Sequence, residues 1–279
     1  MKLHIERQRV IDAIIVFFGL TQATKQIATG HTVSDGPTPQ EQAVQIKKHM
    51  GELGLMLSGG AINSIITGTK VNDLDFYIKT DSQVAAATRF FSQYFKEVPY
   101  VSTNAITFKR KSTSSPKRWT AQLITRFKGS CEEILDTFDF TITQGLFDFD
   151  SDVFVFGDRF FTDIAARKLV YLGKSRFPIC AMYRTKKYQE RGYTVPGSTI
   201  MHIALSIVRL DIKTYRDLKD QLMGIDTIYL QGLLSQDKYA DALPVDYGTF
   251  LVEAFEKLDG VTAESNLQQL WMDNISPNE

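Results

Sequence analysis

Residues 57–68 read Leu57-Ser58-Gly59-Gly60-Ala61-Ile62-Asn63-Ser64-Ile65-Ile66-Thr67-Gly68, and residues 71–78 read Val71-Asn72-Asp73-Leu74-Asp75-Phe76-Tyr77-Ile78. The first segment predicts a strand that ends in a glycine pair and passes into an amphipathic helix. Glycine lets the backbone come close to a ligand, and a helix N-terminus presents free N–H groups to an anion. The segment therefore predicts a phosphate-binding turn, although the same pattern also occurs as a plain tight turn.

Asp73 and Asp75 are separated by one residue in a segment that predicts a strand. Side chains at i and i+2 of a strand point to one face, with their Cα atoms about 6–7 Å apart. Two carboxylates beside a phosphate-binding turn suit one or two Mg²⁺ ions that hold a nucleoside triphosphate (NTP). An Asp-x-Asp pair also arises by chance on the solvated face of an edge strand. The glycine turn just upstream favours the metal-binding interpretation.

Two further segments add to this pattern. One is Phe138-Asp139-Phe140-Thr141-Ile142-Thr143-Gln144-Gly145-Leu146-Phe147-Asp148, and a looser one runs from Asp163-Ile164 to Arg191-Gly192-Tyr193. Together with Ser58-Gly59-Gly60 and Asp73-Leu74-Asp75, they resemble the nucleotidyltransferase superfamily of DNA polymerase β. Within it, the resemblance is to the class II tRNA nucleotidyltransferases and bacterial poly(A) polymerases. It covers roughly residues 40–195.

The resemblance implies an α+β fold, in which a small mixed-sheet nucleotidyltransferase domain precedes a mainly helical domain. It implies an enzyme that transfers a nucleoside monophosphate from an NTP to an acceptor, first an RNA 3′ end, tRNA-like or otherwise, and second a protein hydroxyl. The implied metal ligands for Mg²⁺ are Asp73 and Asp75, and the implied catalytic residues are Asp73, Asp75 and Asp139. The implied nucleotide-binding residues are Ser58, Gly59, Gly60, Asn63 and Arg184.

The chain also departs from the family's pattern in the residues that contact the nucleotide. Asn63 and Ser64 stand where the family has Arg and Asp. Phe138 stands where the family has the arginine of a ribose-contacting Arg-Asp pair, while Asp139 keeps the aspartate. These departures leave the choice of nucleotide open.

A third carboxylate is missing from the strand where the superfamily usually places it. Residues 119–126 predict that strand, and they offer Gln122. An amide brings no charge to Mg²⁺. Either Asp139 or Asp136 supplies the third carboxylate, or one metal ion is held weakly, or the protein is an inactive nucleotidyltransferase fold that binds nucleotide, RNA or a protein partner.

The charges of the chain balance overall but are distributed in blocks. Lys+Arg and Asp+Glu each number 32, so the formal net charge is zero, which argues against a wholly basic DNA-coating protein. Residues 98–130 contain seven basic and no acidic residues, residues 131–163 are mostly acidic, and residues 166–191 are again basic. The blocks indicate either a polyanion-binding surface beside a carboxylate-rich region or solvated faces whose charges pair locally.

Composition excludes several other classes of protein. Two cysteines, Cys131 and Cys180, are too few for a disulfide framework or a zinc-thiolate site, and the four histidines are scattered. The longest apolar run near the start is far short of the roughly 20 residues that cross a bilayer, and charged residues interrupt any signal peptide. We therefore expect a cytoplasmic protein without membrane contact. Its oligomeric state is left open.

The expected organisation has three parts: an N-terminal helix and loop (1–39), a catalytic domain (40–160) and a helical domain (161–279). Helices are predicted over 7–28, after the cap Thr38, and over most of 166–191. Residues 109–128 predict a hairpin with a basic tip, in which Trp119 either stacks on a base or, as we favour, packs against the protein.

Overall fold

A computed structural model describes residues 4–26, 32–111 and 118–222, together with residues 251, 252 and 256. The chain divides into two compact units, Met1–Ala166 and Arg167–Glu279, here called the first unit and the second unit. The three-part organisation predicted from the sequence stays a prediction.

The first unit combines short helices with short strands. Its helices are α1 (His4–Phe18), α2 (Pro39–Glu52), α3 (Gly60–Thr67), α4 (Val84–Tyr94), α5 (Cys131–Leu135) and α6 (Phe160–Ala165). Its strands are β1 (Ala23–Gln26), β2 (Thr32–Asp35), β3 (Met56–Ser58), β4 (Asp73–Ile78), β5 (Tyr100–Val101), β6 (Ala105–Lys111), β7 (Arg118–Lys128), β8 (Gly145–Asp148) and β9 (Val153–Phe156). Single 3-10 turns lie at Asp81–Gln83 and Thr141–Thr143.

Local signals in the sequence fix the ends of the two helices that flank β3. The Thr38 hydroxyl accepts a hydrogen bond from the Glu41 backbone N–H, and the Glu41 carboxylate accepts one from the Thr38 N–H. This capping box starts α2 where it was predicted. On the other side of β3, α3 ends at Thr67 and is capped by Gly68, whose φ of 70° suits glycine.

Seven strands form one mixed sheet in the order β5-β6-β7-β4-β3-β8-β9. Strands β4 and β7 run parallel, and the other neighbouring pairs run antiparallel. Asp75 lies opposite Ser58 of β3 on one side and opposite Gln122 of β7 on the other. The sheet therefore aligns the end of β3, where the glycine turn begins, with the Asp-x-Asp strand.

One face of this sheet carries the main hydrophobic core of the first unit. Leu74 and Phe76 of β4 point into it, as do Ala121 and Leu123 of β7. Helices α1 to α4 cover this face with aliphatic and aromatic side chains, among them Ile14, Phe17, Phe18, Met50, Ile62, Phe90 and Phe91. Burial of this apolar area is the main force that holds the helices to the sheet.

The opposite face is apolar only at one end. There α5 packs on a small cluster of Met56, Tyr77, Ile134, Leu135 and Leu146. Farther along the same face, the paired side chains of β4, β7 and β6 are polar and half-buried. This polar strip consists of Asp73, Asp75, Thr120, Gln122, Thr107 and Lys109.

The N-terminal helix is shorter than predicted. The apolar spacing predicted a helix over 7–28, whereas α1 ends at Phe18 and Gly19 follows with a φ of 66°. Residues 23–26 instead pair with residues 32–35 as the two-stranded sheet β1–β2. The helical pattern fails after Leu20 because the residues that follow carry no apolar repeat to hold a helix on the core.

The described part of the second unit is helical, with α7 (Pro178–Glu190), α8 (Gly197–Val208) and α9 (Tyr215–Leu222). The prediction that most of 166–191 is helical is correct only from Pro178 onward, because proline suits the first turn of a helix and Gly173 precedes it with a φ of 72°. The apolar residues Leu267, Leu270 and Trp271 predict a last helix near the end of the sequence, which lies outside the described residues. The predicted fold class, a mixed-sheet α+β domain consistent with a nucleotidyltransferase-like fold and followed by a helical region, is confirmed.

Among the residues that the structure describes, no helix combines the length and the apolar character that a membrane crossing requires.

Candidate nucleotide-binding site

The predicted glycine turn joins β3 to α3. Gly59 has φ 76° and ψ −140°, a conformation that is accessible to glycine but strained for other residues. Its N–H donates to the Gly145 carbonyl at 3.3 Å, and its own carbonyl accepts from the N–H groups of Ile62 and Asn63. A Cβ added at Gly60 would have no heavy atom within 4 Å. The helix N-terminus is therefore open at Gly60, as a phosphate-binding turn requires.

Two buried side chains hold this turn in place. The Ser58 hydroxyl donates to the Gly145 carbonyl at 2.7 Å, and the Asn63 amide donates to the Ile142 carbonyl at 3.0 Å. Both side chains therefore help to fix the turn to the segment 142–145. A direct contact of Ser58 or Asn63 with a nucleotide stays a prediction.

Asp73 and Asp75 lie together on the polar strip, next to this turn. They alternate with Leu74 and Phe76, which are buried in the main core on the other face. The Oδ2 atom of Asp75 lies 3.8 Å from the position that a Cβ would take at Gly59. The structure therefore places at least one carboxylate of the Asp-x-Asp pair directly beside the glycine turn.

Gln122 lies opposite Asp75 on β7, the strand on which a third carboxylate was expected. Within the described residues, no group of three or more His, Cys, Asp or Glu side chains is placed to hold a metal ion. Mg²⁺ is commonly bound in proteins by one or two carboxylates together with substrate phosphates, rather than by a complete protein cage. Two aspartates on one face beside the Gly59 turn would fit an ion of this kind; that they bind one stays a prediction.

Asp139 lies in the segment between α5 and the 3-10 turn Thr141–Thr143, and it is only 4% exposed. That turn is anchored by the buried Asp163, whose carboxylate accepts hydrogen bonds from Thr141 at 2.6 Å and from Arg159 at 2.9 Å. The structure does not gather Asp139 into a three-carboxylate group with Asp73 and Asp75. Its catalytic role, like that of Asp136 as a substitute, stays a prediction.

Phe138 covers one side of the glycine turn. Its Cε1 atom lies 3.3 Å from the position of a Cβ at Gly59, and its ring centroid is 6.0 Å from that of Tyr77. An aromatic ring therefore borders the turn at the position where the family has an arginine. The replacement of the arginine is visible in the sequence, but the contact of the ring with Gly59 is not, because Gly59 lies 79 residues away.

The hairpin β6–β7 divides its side chains between the two faces of the sheet. Arg110 and Trp119 pair on the core face. The Arg110 guanidinium donates to the carbonyls of Val16 and Phe17, and burial lowers its pKa. The Trp119 ring packs on Phe17 with a centroid distance of 4.8 Å, which confirms the packing interpretation of this tryptophan.

A groove of about 280 Å³ lies away from the polar strip, between α1 and the end of α3. Arg9 lines it and donates to the carbonyls of Ile65 and Ile66 near the end of α3. The groove contains none of the predicted site residues, so we do not assign the nucleotide to it.

Arg184, the remaining predicted nucleotide-binding residue, lies on α7 of the second unit. Its contact with a nucleotide stays a prediction.

Together, the mixed sheet, the glycine turn and the adjacent Asp-x-Asp strand are consistent with a nucleotidyltransferase-like fold. A family model described as "Gabija anti-defense 2 family protein" matches residues 32–167. A relative named "Gabija anti-defense 2", from Bacillus phage SPbetaL7, is 31% identical over 187 residues, which are 67% of this chain and 45% of the relative. The chain thus spans about half the length of the curated relative that it matches.

Solved structures of tRNA-processing enzymes are also similar to this chain. The CCA-adding enzyme of Thermotoga maritima in complex with tRNA is 14% identical, with a TM-score of 0.46 over 66% of this chain and 47% of that one. A CCA-adding enzyme in complex with ATP is 13% identical, with a TM-score of 0.46 over 65% of this chain and 47% of that one.

Proposed function

We propose that this protein is a Mg²⁺-dependent nucleotidyltransferase, which moves a nucleoside monophosphate from an NTP to the 3′ end of an RNA. The observation that carries the proposal is the position of Asp75 beside the Gly59 turn, on the same face as Asp73. A triphosphate on this turn would receive N–H groups from the start of α3. The carboxylates of Asp73 and Asp75, on one face of the sheet, would bind the metal ion that accompanies the triphosphate.

The predicted site residues have proposed roles that follow from their chemistry. Gly60 would offer its backbone N–H to the triphosphate, and Gly59, whose own N–H donates to the Gly145 carbonyl, would line the turn without a side chain. Asp73 and Asp75 would hold Mg²⁺, which would supply charge stabilisation at the attacking and leaving oxygens. Asp139 would serve as a further carboxylate near the reacting groups.

Charge removal at the Asp-x-Asp pair tests this proposal. The protein is incubated with Mg²⁺, each labelled NTP in turn and total RNA, and label transfer is measured. Asp73→Asn and Asp75→Asn keep the side-chain size but remove the negative charge. We expect each to reduce transfer by about 100-fold or more, because the transition-state charge loses its counter-ion.

Asp158→Asn is the matched control, because Asp158 is exposed and lies outside the polar strip. It should transfer label like the natural protein, and all three variants should keep the natural melting temperature within a few degrees. Transfer that survives in both Asp73→Asn and Asp75→Asn would contradict the proposed roles of these carboxylates.

A second candidate function is binding of nucleotide or RNA without transfer. The specific observation in its favour is Gln122, which pairs with Asp75 and brings no charge to a metal ion. In the same experiment, this candidate predicts NTP binding by the natural protein with no label transfer to any RNA. An interaction with a protein partner, the third candidate, predicts neither binding nor transfer by a correctly folded protein.

We further propose that the protein acts against the Gabija defence, as the name of its relative from Bacillus phage SPbetaL7 states for that protein. The test is to express the chain in bacteria that carry Gabija and to count phage plaques. We expect plaque numbers to rise with the natural protein. If nucleotidyl transfer underlies the effect, Asp73→Asn and Asp75→Asn should abolish the rise while Asp158→Asn preserves it.

A further inference from the structure

The polar strip continues beyond the two aspartates, across β7 and β6 to the edge strand β5. Asp73 lies opposite Thr120, which lies opposite Lys109. Because residues paired across neighbouring strands share a face, Lys109 is on the same face as Asp73, two strands away. Two strand spacings separate their Cα atoms by about 10 Å.

The next row of the same face ends in an aromatic side chain. Asp75 lies opposite Gln122, Gln122 opposite Thr107, and Thr107 opposite Tyr100 of β5. Tyr100 is 58% exposed although it is a large apolar-bodied residue. Its ring therefore lies open at the edge of the sheet, about 15 Å from Asp75 by the spacing of the strands.

Lys109 differs from its neighbour Arg110 in what its charge contacts. Arg110 points to the other face, where its guanidinium donates hydrogen bonds to two backbone carbonyls of α1. In the part of the chain that the structure describes, the half-buried Lys109 ammonium has no hydrogen bond or ion pair. Lys111, two residues on, lies on the same face as Lys109 and is exposed. This part of the strip is therefore positively charged and available to an anion.

We propose that this face of β5, β6 and β7 binds a single-stranded RNA whose end reaches Asp73 and Asp75. Lys109 would bind a backbone phosphate, and Tyr100 would stack on a base. Phosphate–lysine contacts and base–aromatic stacking are the two interactions that bind single strands without reading their sequence. The proposal deepens the proposed function and rests on it for the identity of the reaction, but the binding itself requires no transfer.

The test measures the affinity of the full chain for a labelled single-stranded RNA of about ten nucleotides at several salt concentrations, without Mg²⁺ or NTP. We expect Lys109→Met to weaken binding about fivefold and to reduce the slope of log K against log salt by about 0.7, which is one lost phosphate contact. Lys109→Arg should restore both values. We expect Tyr100→Ala to weaken binding about tenfold without changing the slope, and Tyr100→Phe to bind normally, because stacking needs only the ring.

Two control variants match these changes. Lys48→Met removes the same charge from α2, and Val101→Ala truncates the neighbour of Tyr100 that pairs with the core-face residue Ile106. Both should bind RNA like the natural protein. Equal losses in Lys48→Met and Lys109→Met would overturn the proposal, and so would natural affinity in both Lys109→Met and Tyr100→Ala.

A parallel measurement with ATP and Mg²⁺ shows whether the phosphate that Lys109 contacts belongs to the RNA backbone or to the triphosphate. If Lys109 contacts the RNA backbone, Lys109→Met leaves ATP affinity unchanged; a loss of ATP affinity with natural RNA affinity would assign Lys109 to the triphosphate and contradict the RNA path. A natural protein that binds RNA in this pattern but transfers no label refutes the transferase and keeps the RNA surface. A folded natural protein that binds no RNA refutes the surface.

Discussion

Gln122 and Asp75 lie opposite each other on the two parallel strands at the centre of the sheet. Gln122→Glu would place a third carboxylate on the polar strip beside Asp73 and Asp75. Like charges on directly opposed strand positions are destabilising by up to about 1 kcal/mol. We expect the variant to melt a few degrees lower than the natural protein without Mg²⁺ and to regain the loss when millimolar Mg²⁺ is added.

Gln122→Met is the control for this change, because it has similar length and no charge. Its melting temperature should not respond to Mg²⁺ more than that of the natural protein. A Gln122→Glu protein whose stability is equally insensitive to Mg²⁺ would show that this position does not approach a bound metal ion.

For single residues, the sequence predicted that Asp73 and Asp75 share one face of a strand, because strand alternation is a local rule. The partners of Ser58 and Asn63 could not be predicted. Their acceptors, the carbonyls of Gly145 and Ile142, are 87 and 79 residues away, and a hydroxyl or amide carries no signal of its distant partner. Strand alternation in residues 105–111 could have predicted that Lys109 and Arg110 lie on opposite faces of the sheet. The prediction was not made because both residues were treated as members of one basic block.

The 3-10 turn Thr141–Thr143 and helix α6 are joined by one buried charged hydrogen bond, between Thr141 and Asp163. A hydrogen bond to a charged group contributes about 1.5–3 kcal/mol. We expect Thr141→Val and Asp163→Ala each to lower the free energy of unfolding. A double-mutant cycle in urea should show that the two losses overlap by about 1–2 kcal/mol, since each removes the same contact.

Ser151→Ala provides the comparison for this cycle. It removes the hydrogen bond of an exposed serine to Asp148, at the turn between β8 and β9. The expected cost is within about 0.5 kcal/mol. Strictly additive losses at Thr141 and Asp163 would mean that the turn and α6 are held by other contacts.

The elements themselves were predictable where their signals are local. The capping box of Thr38 and Glu41 set the start of α2, and the β3–α3–β4 segment followed from its glycines and its alternation. The strands β1 and β2 were missed because four-residue strands carry too few positions for a periodic pattern. Residues 167–177 were included in the predicted helix, although Gly173 and Pro178 mark a break before the first turn of α7.

The whole chain has no net charge at neutral pH, although the RNA surface proposed above is basic. A molecule without net charge attracts a distant polyanion weakly, and salt screens charges beyond about 10 Å. We therefore expect RNA to associate at an ordinary rate that changes little with salt. The salt dependence of affinity should appear mainly in the dissociation rate, which stopped-flow measurements would resolve.

An association rate that falls steeply with salt while dissociation stays constant would contradict this expectation. It would indicate long-range steering by a larger basic field than Lys109 and Lys111 provide. Lys109→Met serves as the internal reference, because it should raise the dissociation rate and leave the association rate nearly unchanged.

The order of the strands could be predicted only in part. The neighbourhood of β3, β4 and β7 followed from the resemblance and from the motif. The position of β8 beside β3 depends on contacts between residues about 90 positions apart, including the Ser58–Gly145 bond. Such pairings are decided by the packing of the whole sheet, because no segment of the chain contains both partners.

The Gly59 turn has a consequence for how a ligand would be admitted. It is fixed from both sides by the buried Ser58 and Asn63 side chains, so its N–H groups are aimed before any anion arrives. The backbone of the turn therefore loses little conformational entropy when a ligand binds. Most of the entropy lost on binding is that of the ligand. The turn therefore works as a rigid template, and adaptation between protein and substrate must occur elsewhere.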